Sequence, residues 1–381
     1  MNRFTLITIG IVLILLMVGI WIYLFVYGTP KATQEVFTNL GFLSAQTEKS
    51  ASSTPAVEDS TNLAISGTKL EQLSTRSIAG AVFTSSDTIR YAERGTGYIY
   101  DIDLTSGLEK QVSLTTFAQT SEAVFSDDGT SVALIRYQDD GALIQAGAID
   151  ASASSLTSET LPKNAHDVDF ADAGHIRFAV SDETSTTGYV YDLAAQTAEK
   201  LFTVPLRQVG ILWEGPYVYT LPSADATGYI YAVKNGGLEA VPVTGTDLTA
   251  FVIDGKLAIS MAENGHYGSL IYDPKTGSIQ RQAVSMIGEK CSRYVGNDML
   301  WCASPLSPDG TMLEKWYKGT YRSHDFFWNV NLRGSTAKAS DDLTALSGRD
   351  LDVTHTRSNG TGDALIFIDK NDQSLWIYRT K

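Results

Sequence analysis

The sequence predicts an all-β body of repeated four-stranded units behind one N-terminal membrane-spanning helix. Three observations carry that expectation. Phe4 to Tyr27 is a run of 24 residues without a charge. A strand pattern then recurs roughly every 40–47 residues, a period typical of propeller-like arrays. No long helical period follows the apolar run. The composition agrees, with 381 residues of which 43% are hydrophobic and 19% charged. That excludes a disordered chain, a collagen and a coiled coil. A formal charge of -14 argues against nucleic acid or an anionic membrane surface as an electrostatic partner.

The run 4–27 is long enough to cross a bilayer core of roughly 30 Å with some tilt. Trp21, Tyr23 and Tyr27 gather at its C-terminal end, where amphipathic rings favour the interface. The run exceeds a signal-peptide core, and no small-residue cleavage site follows closely. The expectation is therefore an uncleaved anchor, with residues 1–3 as a cytoplasmic tail, a single-pass topology in the cell membrane and the body outside the cytoplasm. Residues 28–65, with the Ser/Thr/Ala/Pro-rich stretch TEKSASSTPAVEDSTN, are expected to be a flexible tether. The body is expected to occupy 66–381.

Within the body, the third strand of each unit is the clearest marker. It reads GYIYDID (97–103), LIQAGAID (143–150), GYVYDL (188–193), GYIYAV (228–233), GSLIYD (268–273), DFFWNVN (325–331) and SLWIYRT (374–380). Alternating β-branched and aromatic residues suit a half-buried strand. Turns such as FSDDGT, VIDGK and DPKTGS separate the strands. The last unit lacks a fourth strand, and TKLEQLST (68–75) precedes the first. The expectation is a seven-bladed β-propeller whose N-terminal strand completes the final blade, removing an exposed edge. Six blades plus an irregular piece, or eight, are the alternatives.

The FSDDGT and GYIYDID patterns resemble WD-repeat-like β-propellers, including the periplasmic propeller of the Tol system. The resemblance covers most of 66–381 and implies a fold, not an activity. The WD dipeptide is absent, so a buried His–Asp–Ser–Trp network of that family is not implied. His166–Asp167 reads as a strand-entry pair.

The sixth unit differs from the others. Cys291 and Cys302 lie on consecutive strands around a VGND turn, and counting outward from the turn sets them opposite each other. Opposed residues lie about 4.5–5.5 Å apart, within disulfide reach. Between the second and third strands the unit carries PLSPDGTMLEKWYKGTYRSH, where other units use only a short loop. Long loops in compact domains are often functional. Trp316, Tyr317, Lys318, Tyr321, Arg322 and His324 are the candidate binding residues. The competing reading folds Trp316 and Tyr317 back as a plug over the blade edge or channel mouth. The segment from Cys291 through LWCASP to WYKG is similar to uncharacterised membrane-anchored propellers of candidate-phylum bacteria, a resemblance that brings no activity.

No nucleophile elbow, Walker loop, zincin motif or dinucleotide fingerprint occurs, and the histidines have no ligand spacing, so no catalytic residue, metal or cofactor is expected. The leading expectation is a binding or scaffold ectodomain for a protein or envelope polymer. The alternatives are a glycan hydrolase or lyase using acids such as Asp167, Asp169, Asp350 and Asp352 at the channel, and a purely structural envelope protein.

Overall fold

A computed structural model describes residues 60–139, 141–234, 237–293 and 299–380. The expected span 4–27 and nearly all of the tether lie outside the described residues. Among the described residues no helix is long and apolar enough to cross a membrane. They are strand-rich, with two short helices, α1 (Met312–Tyr317) and α2 (Leu343–Ser347).

Each repeat folds as an antiparallel set of four strands. The first uses Ile78–Phe83, Thr88–Glu93, Ile99–Asp103 and Leu108–Ser113, joined in sequence order. The marker acid or amide at the end of the third strand closes the next hairpin. Asp103 accepts from the amides of Thr105 and Ser106, Asp192 from Ala194 and Ala195, and Asp273 from Lys275 and Thr276. Asn331 does the same for Arg333 and Gly334. A side-chain acceptor two and three residues upstream replaces a turn hydrogen bond, which is why the residue recurs.

The fourth and fifth units share one seven-stranded sheet, because Gly237–Ile253 runs unbroken from one into the other. The other units form separate sheets, and Ser60–Asn62 adds an edge strand to the first by pairing with Leu108–Lys110. Leu70–Ser74 pairs antiparallel with Leu375–Arg379, Leu70 lying opposite Tyr378. The last unit is thus completed from the N-terminal side, as the sequence implies. An Arg379–Glu71 ion pair at 2.9 Å reinforces this seam, and a Lys69–Asp341 pair at 2.8 Å ties the entering strand to the sixth unit.

The core is divided among the junctions between units. Ile99, Ala123 and Val132 join the first and second units, and Ile135, Phe170 and Phe178 the second and third. Similar clusters follow at each later junction. Leu73, Ile78, Ile89, Ile366 and Ile377 join the last unit to the first. First strands approach closely at the junction of the first and second units: a Cβ on Gly80 would lie 2.0 Å from the Ala123 carbonyl oxygen.

Candidate functional site

The insertion of the sixth unit is not a free loop. Asp309 turns the chain by accepting from the Thr311 amide, and α1 follows. The amides of Leu313 and Glu314, at the start of α1, both donate to the Asp247 carboxylate at 2.7 Å. Burial pushes that carboxyl up, and the two N–H donors offset this only in part. Met312, Leu313 and Trp316 share one side of the helix and pack on Tyr267 and Ile287, as helical periodicity requires. On the other side Glu314 accepts from the Ala224 amide at 2.7 Å. Gly310 comes so close to Gly265 that a Cβ there would lie 2.8 Å from its carbonyl carbon.

Trp316 is 2% exposed and anchors the insertion. Its indole N–H donates to Asp352 at 2.8 Å. Asp352 also accepts from Lys290 at 2.7 Å and from the Ser323 amide at 3.1 Å. Lys290 donates at 2.6 Å to Asp325, which takes a further bond from the Val353 amide. Lys290 and Asp325 are both fully buried. Burial opposes the Lys290 charge, but the two carboxylates outweigh it and hold its pKa above the ordinary value. Lys370 lies 3.7 Å from the Trp316 ring centre and donates to its carbonyl, while burial lowers its own pKa. The insertion is therefore fastened to the fourth, fifth and seventh units as well as its own.

The six candidate residues do not form one patch. Trp316 faces inward, and Tyr321 is partly buried against the helix. Lys318 and Arg322 are exposed, with Lys318 bound to Glu314. His324 stacks on Phe326 and contacts Asp350 at 3.0 Å. Tyr317 is 42% exposed, and its hydroxyl donates to Glu289 at 2.7 Å. Cys291 and Cys302 are directly opposed, as their spacing predicts, and are disulfide-bonded with Cα atoms 4.1 Å apart.

Tyr317 leads to a second feature, built where the first strands begin. Glu122 accepts from the Tyr137 hydroxyl at 2.8 Å and lies 3.9 Å from His355. Burial alone would raise the Glu122 carboxyl; His355, Tyr137 and Arg94 outweigh it and hold the pKa below its ordinary value. His166 bonds Asp167 at 2.7 Å and Ser181 at 2.8 Å. Asp167 and His355 have φ of 47° and 52°, each at a register shift in its first strand. That left-handed backbone is uncommon for residues other than Gly and is a local strain. Burial pushes the Tyr219 hydroxyl up, with Asp167 and Glu289 adding to it; burial and Glu289 do the same for Tyr317. Carboxylates, imidazoles and phenols from five units thus meet at one mouth.

Asp167 lines three neighbouring clefts. The largest holds about 860 Å³ and includes Tyr137, His166, Asp182, Arg207 and Leu221. A second of about 260 Å³ adds Glu122, and a third of about 300 Å³ adds Asp169 and Trp213. Of the four acids singled out in the sequence, only Asp167 belongs to the mouth itself. Asp169 is held by Arg177, Asp350 by His324, and Asp352 is buried on Lys290. Glu122 and Glu289 carry no motif that marks them. Their position just before or at the start of a first strand is the signal that locates them. Among the described residues no group of three or more His, Cys, Asp or Glu is arranged to hold a metal ion.

No protein-family model and no curated protein matches the sequence. Solved β-propellers are similar in fold. The propeller domain of the Trilobed protease from Pyrococcus furiosus aligns at TM-score 0.52 and 10% identity, over 80% of this chain and 95% of that one. An oligogalacturonate lyase in complex with manganese aligns at 0.52 and 13% identity, over 86% of this chain and 96% of that one. TolB from Acinetobacter baumannii aligns at 0.43 and 14% identity, over 67% and 63%, too low to add to the argument. The protease propeller is described as having an open velcro topology; here the seam between Leu70–Ser74 and Leu375–Arg379 is paired. At these identities the likeness concerns the fold alone.

Proposed function

We propose that this chain is an extracytoplasmic binding module, a seven-bladed propeller held at a membrane by residues 4–27, which takes its partner on the face carrying the insertion. The blade count rests on reading the shared seven-stranded sheet as two blades joined by Gly237–Ile253. The anchor rests on the apolar run, and the compartment on the disulfide, since such bonds persist where the surroundings are oxidising.

The observation that carries the binding reading is that five of the ten exposed large apolar side chains among the described residues lie at one end of the strands, beside the clefts at Asp167. Tyr137, Leu221, Leu306 and Tyr317 lie in or beside second-to-third-strand connections, and Leu346 lies in the link to the last unit; all are at least 40% exposed. Together with the clefts at Asp167 they give this end both apolar side chains and concave surface, the combination a binding face uses. Strand Leu70–Ser74 begins at the other end, beside Tyr378.

A photoreactive residue at Arg322 in the full chain, compared with one at Lys275 in a third-to-fourth-strand turn, tests the reading. In the native envelope, a discrete crosslinked species from Arg322 and none from Lys275 is expected. Equal crosslinking from both positions, or none from Arg322, overturns it.

The meeting of Glu122, Asp167 and Glu289 at one mouth favours a second reading, a hydrolase or lyase acting on envelope glycans. Loss of turnover on such a glycan in Glu122→Gln, with the fold intact, would establish it; an intact chain inert on the glycan would remove it.

A further inference from the structure

Three features of the mouth point to one class of ligand. The first is charge. Glu122, Glu289 and Asp167 stand at the mouth and the 860 Å³ cleft adds Asp182 and Glu183, against Arg207 in that cleft and Arg94 and Lys370, which lie within electrostatic reach of Glu122 and Glu289. The second is the aromatic lining. Tyr137, Tyr219 and Tyr317 border these carboxylates, and phenol faces attract cations. The third is a poorly satisfied polar group. Tyr267 is 4% exposed beneath α1; Ser260 is the side chain beside its hydroxyl, no bond of good geometry forms there among the described residues, and it lies within electrostatic reach of Glu289 and Tyr219. A buried hydroxyl so poorly satisfied is costly.

Resting on the binding reading, we infer that the mouth captures a Lys or Arg side chain carried by an extended, partly apolar peptide segment of a partner protein. The cleft volume falls in the range of about 300–1,000 Å³ usual for ligand sites. The apolar rim of Tyr137, Leu221 and Tyr317 suits hydrophobic residues flanking the cation better than the hydroxyl-covered surface of a sugar chain. The clustering of carboxylates would steer a basic segment toward the mouth and make capture depend on salt.

The test uses the full chain in nanodiscs and titration calorimetry with three probes: an eight-residue peptide alternating Lys and Leu, the same peptide with every lysine acetylated, and a deacetylated glucosamine tetramer. The lysine peptide is expected to bind, more weakly as salt rises, and the acetylated one to lose about tenfold or more in affinity. Asp167→Asn and Glu122→Gln are each expected to weaken the lysine peptide about tenfold while melting as cooperatively as the parent. Equal binding of both peptides, or unchanged affinity in both variants, overturns the inference. Preferential binding of the glucosamine tetramer overturns it in favour of a glycan. A crosslinked partner at Arg322 combined with no binding of the lysine peptide sinks this inference and leaves the binding module standing.

Discussion

Lys290 shows how strongly a single buried charge can be committed. It has no exposure, and it is bound by two carboxylates from different units, one of which also holds the Trp316 indole. Removing one partner of such a group leaves the others buried and unpaired, at a cost of about 3–5 kcal/mol. Lys290→Met is therefore expected to lower stability by that amount in denaturant titration of the full chain. Trp316→Phe deletes the N–H donor to Asp352 and part of the buried ring, so a loss of about 1–3 kcal/mol for the unpaired acceptor, with a cavity cost added to it, is expected. Glu122 gives a pH dependence. Its folded pKa lies below the ordinary carboxyl value, so the stability it contributes is fully present above the unfolded pKa, about 4.3. That contribution disappears as pH falls through the folded value. Thermal melts from pH 6 downward should show a steeper acid loss in the parent than in Glu122→Gln. None of these roles is visible in the sequence, because Lys, Asp and Glu default to the surface and only the fold reveals which are enclosed.

The insertion and the disulfide act at the scale of elements. The loop was legible as exceptional from its length and from the Trp and Tyr within it. Folding Trp316 back was one of the two readings the sequence left open; the choice between them was not legible, because Met312, Leu313 and Trp316 fall on one side only if a helix forms, and that helix depends on Asp247, more than sixty residues upstream. The disulfide was legible because hairpin geometry is local: register follows from the turn, and Cys291 meets Cys302. It closes a loop of 11 residues in sequence, which by loop-closure entropy is worth about 2–3 kcal/mol. Paired Cys291→Ser and Cys302→Ser substitutions should lower stability by that amount without changing crosslinking from Arg322, since the bond spans the first two strands of its sheet and does not hold the insertion. Parallel loss of capture would place the disulfide within the binding surface instead.

At the scale of the whole molecule, the repeat was readable because each unit restates the same local chemistry: alternating burial within strands and an Asp or Asn at the hairpin. The mouth was not readable. Glu122, Asp167, Glu289 and His355 lie in separate units and become neighbours only when the last unit reaches the first. That closure rests on the seam at Leu70–Ser74, whose Leu73 also enters the cluster shared with Ile78 and Ile366. Without the seam, Leu375–Arg379 would present a row of unpaired backbone groups, a template for association. Two internal deletions that keep residues 1–27 separate this from a general effect of shortening the chain. Removing 28–59 leaves every described pairing in place and should preserve a cooperative melt. Removing 28–75 takes away the strand opposite Tyr378, and should yield a broad melt and self-association that rises with protein concentration in light scattering. If the second deletion melts like the first and stays monodisperse, the seam does not hold the ends together, and the mouth assembled by that closure loses its structural basis.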